Sequence, residues 1–111
     1  MQRPPPEKVV ENVRKLVEEL SKTVKVEKVF LFGSYARGTW LRTSDVDLII
    51  VSRDFEGMSF GRRLDLVNSA AWRLRLSPPV EPLAYTPEEL ERKISESAVV
   101  SDASRYWLRL V

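Results

Sequence analysis

Apolar residues recur along this chain with two different periods. Between Val9 and Leu20 they fall at Val9, Val10, Val13, Leu16, Val17 and Leu20, a spacing that predicts a helix laying one stripe against a core. Pro4-Pro5-Pro6 reads as a stiff leader that stops where this helix starts. The stretch from Val24 to Phe32 contains a first strand, closing on the run Val29-Phe30-Leu31-Phe32. A second strand spans Asp45 to Val51 and is apolar on both faces after Leu48, which predicts a central position in a sheet. Phe60, Leu64, Val67, Ala71 and Leu74 return to helical spacing, and Ser77-Pro78-Pro79 ends that helix. Val80 to Tyr85 follows as a short strand. Thr86-Pro87-Glu88-Glu89 then marks another helix start, with Thr86 as cap, Pro87 in the first turn and Glu89 returning the capping hydrogen bond. From Ser95 to Val111 the pattern fits helix and strand alike, and Tyr106 and Trp107 read either as core or as a partner surface.

Connection lengths set the topology. The stretch from Ser34 to Ser44 is short for a crossover containing a helix, so the first two strands are expected to be antiparallel neighbours. A helix separates the second and third strands, which makes that pair parallel in the usual right-handed sense. The expected fold class is α/β (α+β), a small mixed sheet flanked by helices. No repeat or long linker divides residues 1–111, so one domain with one core is expected.

That topology gathers chemistry at one edge of the sheet. Asp45 and Asp47 lie one residue apart at the mouth of the second strand. Alternation puts both on one side with Cα atoms roughly 6.6 Å apart, while Val46 points the other way. Two anions so close repel unless a cation sits between them, and their hard oxygens suit Mg²⁺, usually held by one or two carboxylates with phosphate and water completing the octahedron. Gly33-Ser34 closes the first strand at the same edge. Glycine there lets the backbone approach a ligand, Ser34 can cap the turn Ser34-Tyr35-Ala36-Arg37-Gly38, and the free amides of that turn would face an anion. A solvated loop end and an ordinary strand-to-turn Gly-Ser are the plainer readings of each motif alone. The crossover brings the start of the third strand, and with it Glu81, to this edge. Pro82 has no N–H for a ladder, so this strand is expected at the sheet margin, where Glu81 reads equally as an edge charge.

Leu31-Phe32-Gly33-Ser34, Ala36-Arg37-Gly38 and Ser44-Asp45-Val46-Asp47-Leu48 together resemble the signature of the minimal nucleotidyltransferases, small relatives of the DNA polymerase beta superfamily. The resemblance implies the nucleotidyltransferase fold and transfer of a nucleoside monophosphate from a nucleoside triphosphate, such as ATP, to a hydroxyl. The phosphates would lie on Gly33-Ser34 and bridge Mg²⁺ held by Asp45 and Asp47, with metal ions stabilising the attacking and leaving oxygens of an in-line displacement. Family members carry a third carboxylate, most often Asp, on a strand such as the third, where it completes the metal site and in many cases accepts the proton of the attacking hydroxyl. Glu81 occupies that place here, and both it and the following Pro82 depart from the commonest pattern. Arg37 or Arg42 would offset charge on the leaving pyrophosphate, or be surface residues. Trp40, in the loop beside the site, reads either as a base-stacking residue or as core. The resemblance also implies a small helical HEPN partner that supplies the acceptor, with an antitoxin role in a hetero-oligomer. The alternative is a module of the same fold that has lost catalysis and neutralises its partner by binding.

Composition narrows the field further. Cysteine and histidine are both absent, which excludes disulfides, thiolate metal sites and a histidine-based triad. Proton transfer is then left to carboxylates, Lys or Tyr. A formal charge of +2 from 18 basic and 16 acidic residues is nearly balanced and argues against a nucleic-acid substrate. Arg62, Arg63, Arg73 and Arg75 form either a local basic face or a solvated helix surface. No stretch has the length of a membrane span and no signal-peptide core is present, so a cytoplasmic protein is expected.

Overall fold

The computed structural model describes residues 3–111. Helix α1 covers Glu7–Leu20, strand β1 Lys28–Phe32, the short helix α2 Ser34–Arg37, and β2 Val46–Val51. A 3-10 turn at Arg53–Phe55 leads to α3, Phe60–Arg73, then β3, Val80–Tyr85, α4, Pro87–Glu96, α5, Ala98–Ala103, and β4, Leu108–Arg109. The strands form one mixed sheet in the order β3-β2-β1-β4. β1 and β2 are antiparallel and β2 and β3 parallel, as the connection lengths require.

The sheet separates two apolar layers. Val46, Leu48 and Ile50 of β2 face α1 and α3, packing with Val9, Val13, Leu16, Leu20, Val67 and Ala70. Ile49 and Val51 face the other way, toward Leu90 of α4 and Val100 of α5. Leu48, Ile49, Ile50 and Val51 are all buried, as expected of a central strand covered on both faces. α1 starts directly after Pro6. The Thr86–Glu89 capping box is present, with Pro87 in the first turn of α4.

Several readings of the sequence change. Ser34 is the first residue of α2 rather than its cap; Gly33 holds the N-cap position, and no side chain caps the turn. Arg63 does not belong to an exposed basic face. Its guanidinium is buried, donates to the carbonyls of Met58 and Ala84, and forms a two-pronged pair with Glu89, 2.6 Å at the shorter contact. Arg73 also has a partner, Glu19. The ambiguous tail contributes a helix and a two-residue edge strand paired with β1 at Phe30 and Leu31. Trp107 is core, stacked on Phe30 with ring centroids 4.2 Å apart. Trp40 packs on Tyr35 and lies under the Arg3 guanidinium, so the packing reading holds for it.

Candidate active site

Strand register builds the site. Phe32 of β1 pairs with Asp47 of β2, and Asp47 pairs with Glu81 of β3. Directly paired residues share a sheet face, so these three side chains form a row on the side covered by α4 and α5. Asp45 stands two positions before Asp47, just ahead of the strand, and is exposed. The third carboxylate, whose place in the pattern was least regular, therefore lies beside Asp47. β3 is a sheet margin, as Pro82 requires.

The carboxylates crowd one another. Asp47 is half-buried, and its carboxyl is pushed up to about 6, first by burial and then by the charges of Glu81 and Asp45, with a hydrogen bond to Glu81 adding to the effect. Among the described residues none of the three has a basic ion-pair partner. Hard oxygen donors with uncompensated negative charge are a chemical fit for a divalent cation. The described residues contain no ready-made cage of three or more ligating side chains. A Mg²⁺ site does not need one, because substrate phosphate and water supply the remaining ligands.

Gly33 ties the second half of the site to the first. Its φ is +71°, and a Cβ built there would lie 2.0 Å from Oδ2 of Asp47. Glycine is needed both for the backbone conformation and for this approach to the carboxylate. Gly33→Ala is accordingly expected to displace Asp47 and to lower turnover by about 10²-fold, the usual penalty for misplacing a reacting group by an ångström. A crystal structure of the variant with Asp47 unmoved, or steady-state kinetics within threefold of wild type, would contradict this.

Beside Gly33 lies a depression of about 520 Å³ whose lining includes Ser34, Arg37, Asp102 and Tyr106. A second, of about 570 Å³, reaches Asp47, Glu81 and Asn68, and Phe32 and Val99 border both. Of the two arginines considered for phosphate, Arg37 lines the first depression, whereas Arg42 is exposed on the loop and does not. The sequence did not point to Asp102 or to the contact that Tyr106 makes. The Tyr106 hydroxyl accepts a hydrogen bond from the Gly33 amide at 3.0 Å. Asp102 accepts one from Arg37 at 2.7 Å.

Comparison with known proteins finds matches in both sequence and fold. The family described as "Nucleotidyltransferase domain" matches residues 13–106. A Methanocaldococcus jannaschii protein named "Putative protein adenylyltransferase" is 23% identical over 104 residues, covering 92% of this chain and 98% of the relative. A crystal structure described as a "putative nucleotidyltransferase", from Sulfolobus solfataricus, superposes with a TM-score of 0.54 at 27% identity, covering 78% of this chain and 81% of that one. A toxin–antitoxin crystal structure with AMP-PNP superposes with a TM-score of 0.62 at 23% identity, covering 92% of this chain and 72% of that one, and shows the shared fold. No helix among the described residues is long and apolar enough to cross a membrane. A family match running from α1 to the C-terminal turn, on a sheet whose register aligns the carboxylates beside Gly33, establishes that the chain belongs to the nucleotidyltransferase domain family and is a nucleotidyltransferase.

Proposed function

We propose that the protein transfers AMP from ATP to a hydroxyl group on a partner protein, in the cytoplasm, with a helical HEPN-type toxin as the acceptor. The row of Phe32, Asp47 and Glu81 beside Gly33, with Asp47 raised to about 6, is the observation that carries the reading. The name of the Methanocaldococcus relative supports protein as acceptor and adenylyl as the group moved. The toxin–antitoxin neighbour supports a toxin partner.

In this reading the β- and γ-phosphates lie against Gly33, Ser34 and Arg37, which places the α-phosphate next to Asp45, Asp47 and Glu81. Asp45, Asp47 and Glu81 would hold a divalent cation such as Mg²⁺, which would supply charge to offset the triphosphate and the oxygens that attack and leave. The acceptor oxygen forms a bond to the α-phosphorus while the bond to the bridging oxygen of the β-phosphate breaks. Pyrophosphate departs along the line of attack, toward Arg37. Glu81, the exposed member of the row, takes the proton from the attacking hydroxyl.

ATP labelled at the α-phosphate tests this directly. With Mg²⁺ and the partner, label is expected on the partner protein, chelation should prevent it, and γ-labelled ATP should give none. Asp45→Asn should lower the rate at least about 10²-fold. Glu81→Gln should lower turnover more than it weakens nucleotide binding, because in this reading the residue accepts the proton as well as helping to hold the cation. Transfer from the γ-position, or full transfer in the presence of chelator, would overturn the assignment.

A further inference from the structure

Two of the three groups that the preceding reading assigns to phosphate, Gly33 and Arg37, are already engaged inside the chain. The Gly33 amide donates to the Tyr106 hydroxyl at 3.0 Å, and the Arg37 guanidinium donates to the Asp102 carboxylate at 2.7 Å. Arg37 also lies over the Tyr106 ring, 4.3 Å from its centroid. Both acceptors come from α5 and the turn after it, and both line the Gly33 depression. A hydroxyl oxygen on a backbone amide and a carboxylate on a guanidinium make the same kinds of bond as phosphate oxygens.

We propose that Tyr106 and Asp102 act as an internal stand-in for phosphate, so that a nucleoside triphosphate gains Gly33 and Arg37 only by displacing them, and the C-terminal turn sets nucleotide affinity. The hydrogen bonds of these two residues go to Gly33 and Arg37 and not to Asp47 or Glu81, so their effect belongs to the binding step. The turn is anchored nearby, with Trp107 on Phe30 and β4 on β1, so release need involve only the Tyr106 and Asp102 side chains. The inference rests on the assignment of the phosphates to Gly33, Ser34 and Arg37.

Calorimetric titration of the full chain with AMP-PNP and Mg²⁺ tests the proposal. Tyr106→Phe keeps the ring beneath Arg37 and frees the Gly33 amide. It should tighten binding about fivefold, the worth of one ordinary hydrogen bond. Asp102→Asn should tighten it less, about twofold, because both members of its ion pair are half exposed. With ATP and the acceptor, the gain should appear as a lower KM rather than a higher kcat. A purely structural role predicts the opposite pattern, a lower unfolding temperature with affinity unchanged or weakened, and that result in Tyr106→Phe would overturn the proposal. Ser34→Ala and Arg37→Ala separate the two levels of inference. If they weaken binding while Tyr106→Phe does not tighten it, the phosphate assignment stands and the stand-in falls. If neither weakens binding, both fall.

Discussion

Asp47→Asn is expected to remove nucleotidyl transfer and, in the same molecule, to make the cation-free protein more stable. Both effects come from the carboxylate row. Activity should fall about 10³-fold or more, because in the proposed arrangement Asp47 helps to hold the cation, the charge stabilisation lost with such a group is several kcal/mol, and each 1.36 kcal/mol is a factor of ten. Stability moves the other way. The Asp47 carboxyl is raised from 3.8 to about 6 in the folded chain, so the native state holds this proton more tightly than the unfolded state does. Between those two values the native state binds more protons, and stability therefore declines as pH rises through the window and stays low above it. Asparagine cannot ionise and escapes the penalty. A shift of about two units corresponds to about 3 kcal/mol, and partial exposure of Asp47 reduces this to about 1–2 kcal/mol at pH 7. Thermal unfolding in chelator at pH 4, 5, 6 and 7 should show the wild-type midpoint dropping relative to the variant. In wild type, cation affinity should climb with pH through about 6, since a proton and a cation compete for the same oxygens. Parallel melting curves for the two proteins across this range would show that neither burial nor the neighbouring charges raise Asp47.

The largest loss of stability is expected from Glu89→Ala, at about 3 kcal/mol. The side chain of Arg63 is only 6% exposed and that of Glu89 25%, so removing the acid leaves a buried guanidinium without its counterion. The same carboxylate also accepts the Thr86 amide, and that cap is lost with it. Arg63 links α3 to the Met58 and Ala84 carbonyls and to α4, so the damage extends across the sheet margin that carries Glu81. Bonding to Arg63, ahead of the Thr86 cap, holds the Glu89 carboxyl down at about 2. Its contribution is therefore complete above about 4.5 and disappears as pH falls through about 2. Urea unfolding at pH 7 measures the loss. The Arg63→Met, Glu89→Leu double variant should recover much of it, because apolar replacements remove both charges together. A single-variant loss below 1 kcal/mol would mean that water reaches Arg63.

Much of the fold was legible because local rules and tertiary demands agreed. The double-faced apolar run from Leu48 to Val51 announced a central strand, and loop lengths alone decided which of its neighbours was antiparallel. Thr86-Pro87-Glu88-Glu89 carried its own start signal. The readings that failed depend on partners distant in sequence. Arg63 sits on a helix whose apolar period was plain, but its counterion is 26 residues away and already had a local explanation as a capping residue. Ser34 looked like a cap by residue type, whereas Gly33 takes that place with a backbone conformation suited to the approach of Asp47 from the next strand. The tail was unreadable because a six-residue helix and a two-residue strand are too short for either period to emerge. The carboxylate row was half legible. Topology brought Glu81 to the right edge, and only the register shows that it stands beside Asp47.

The margin formed by β3 limits how any partner can attach. Pro79 and Tyr85 turn their carbonyls toward β2, so the even-numbered residues between them present their backbone groups outward. At position 82 that outward donor does not exist, and at position 84 the outward carbonyl is taken by Arg63. Two successive rungs are missing from the place where a foreign strand would have to pair. The sheet is closed to extension at this margin by its own chemistry, so a protein approaching the carboxylates from the β3 side does so by side-chain docking and not by pairing a strand there.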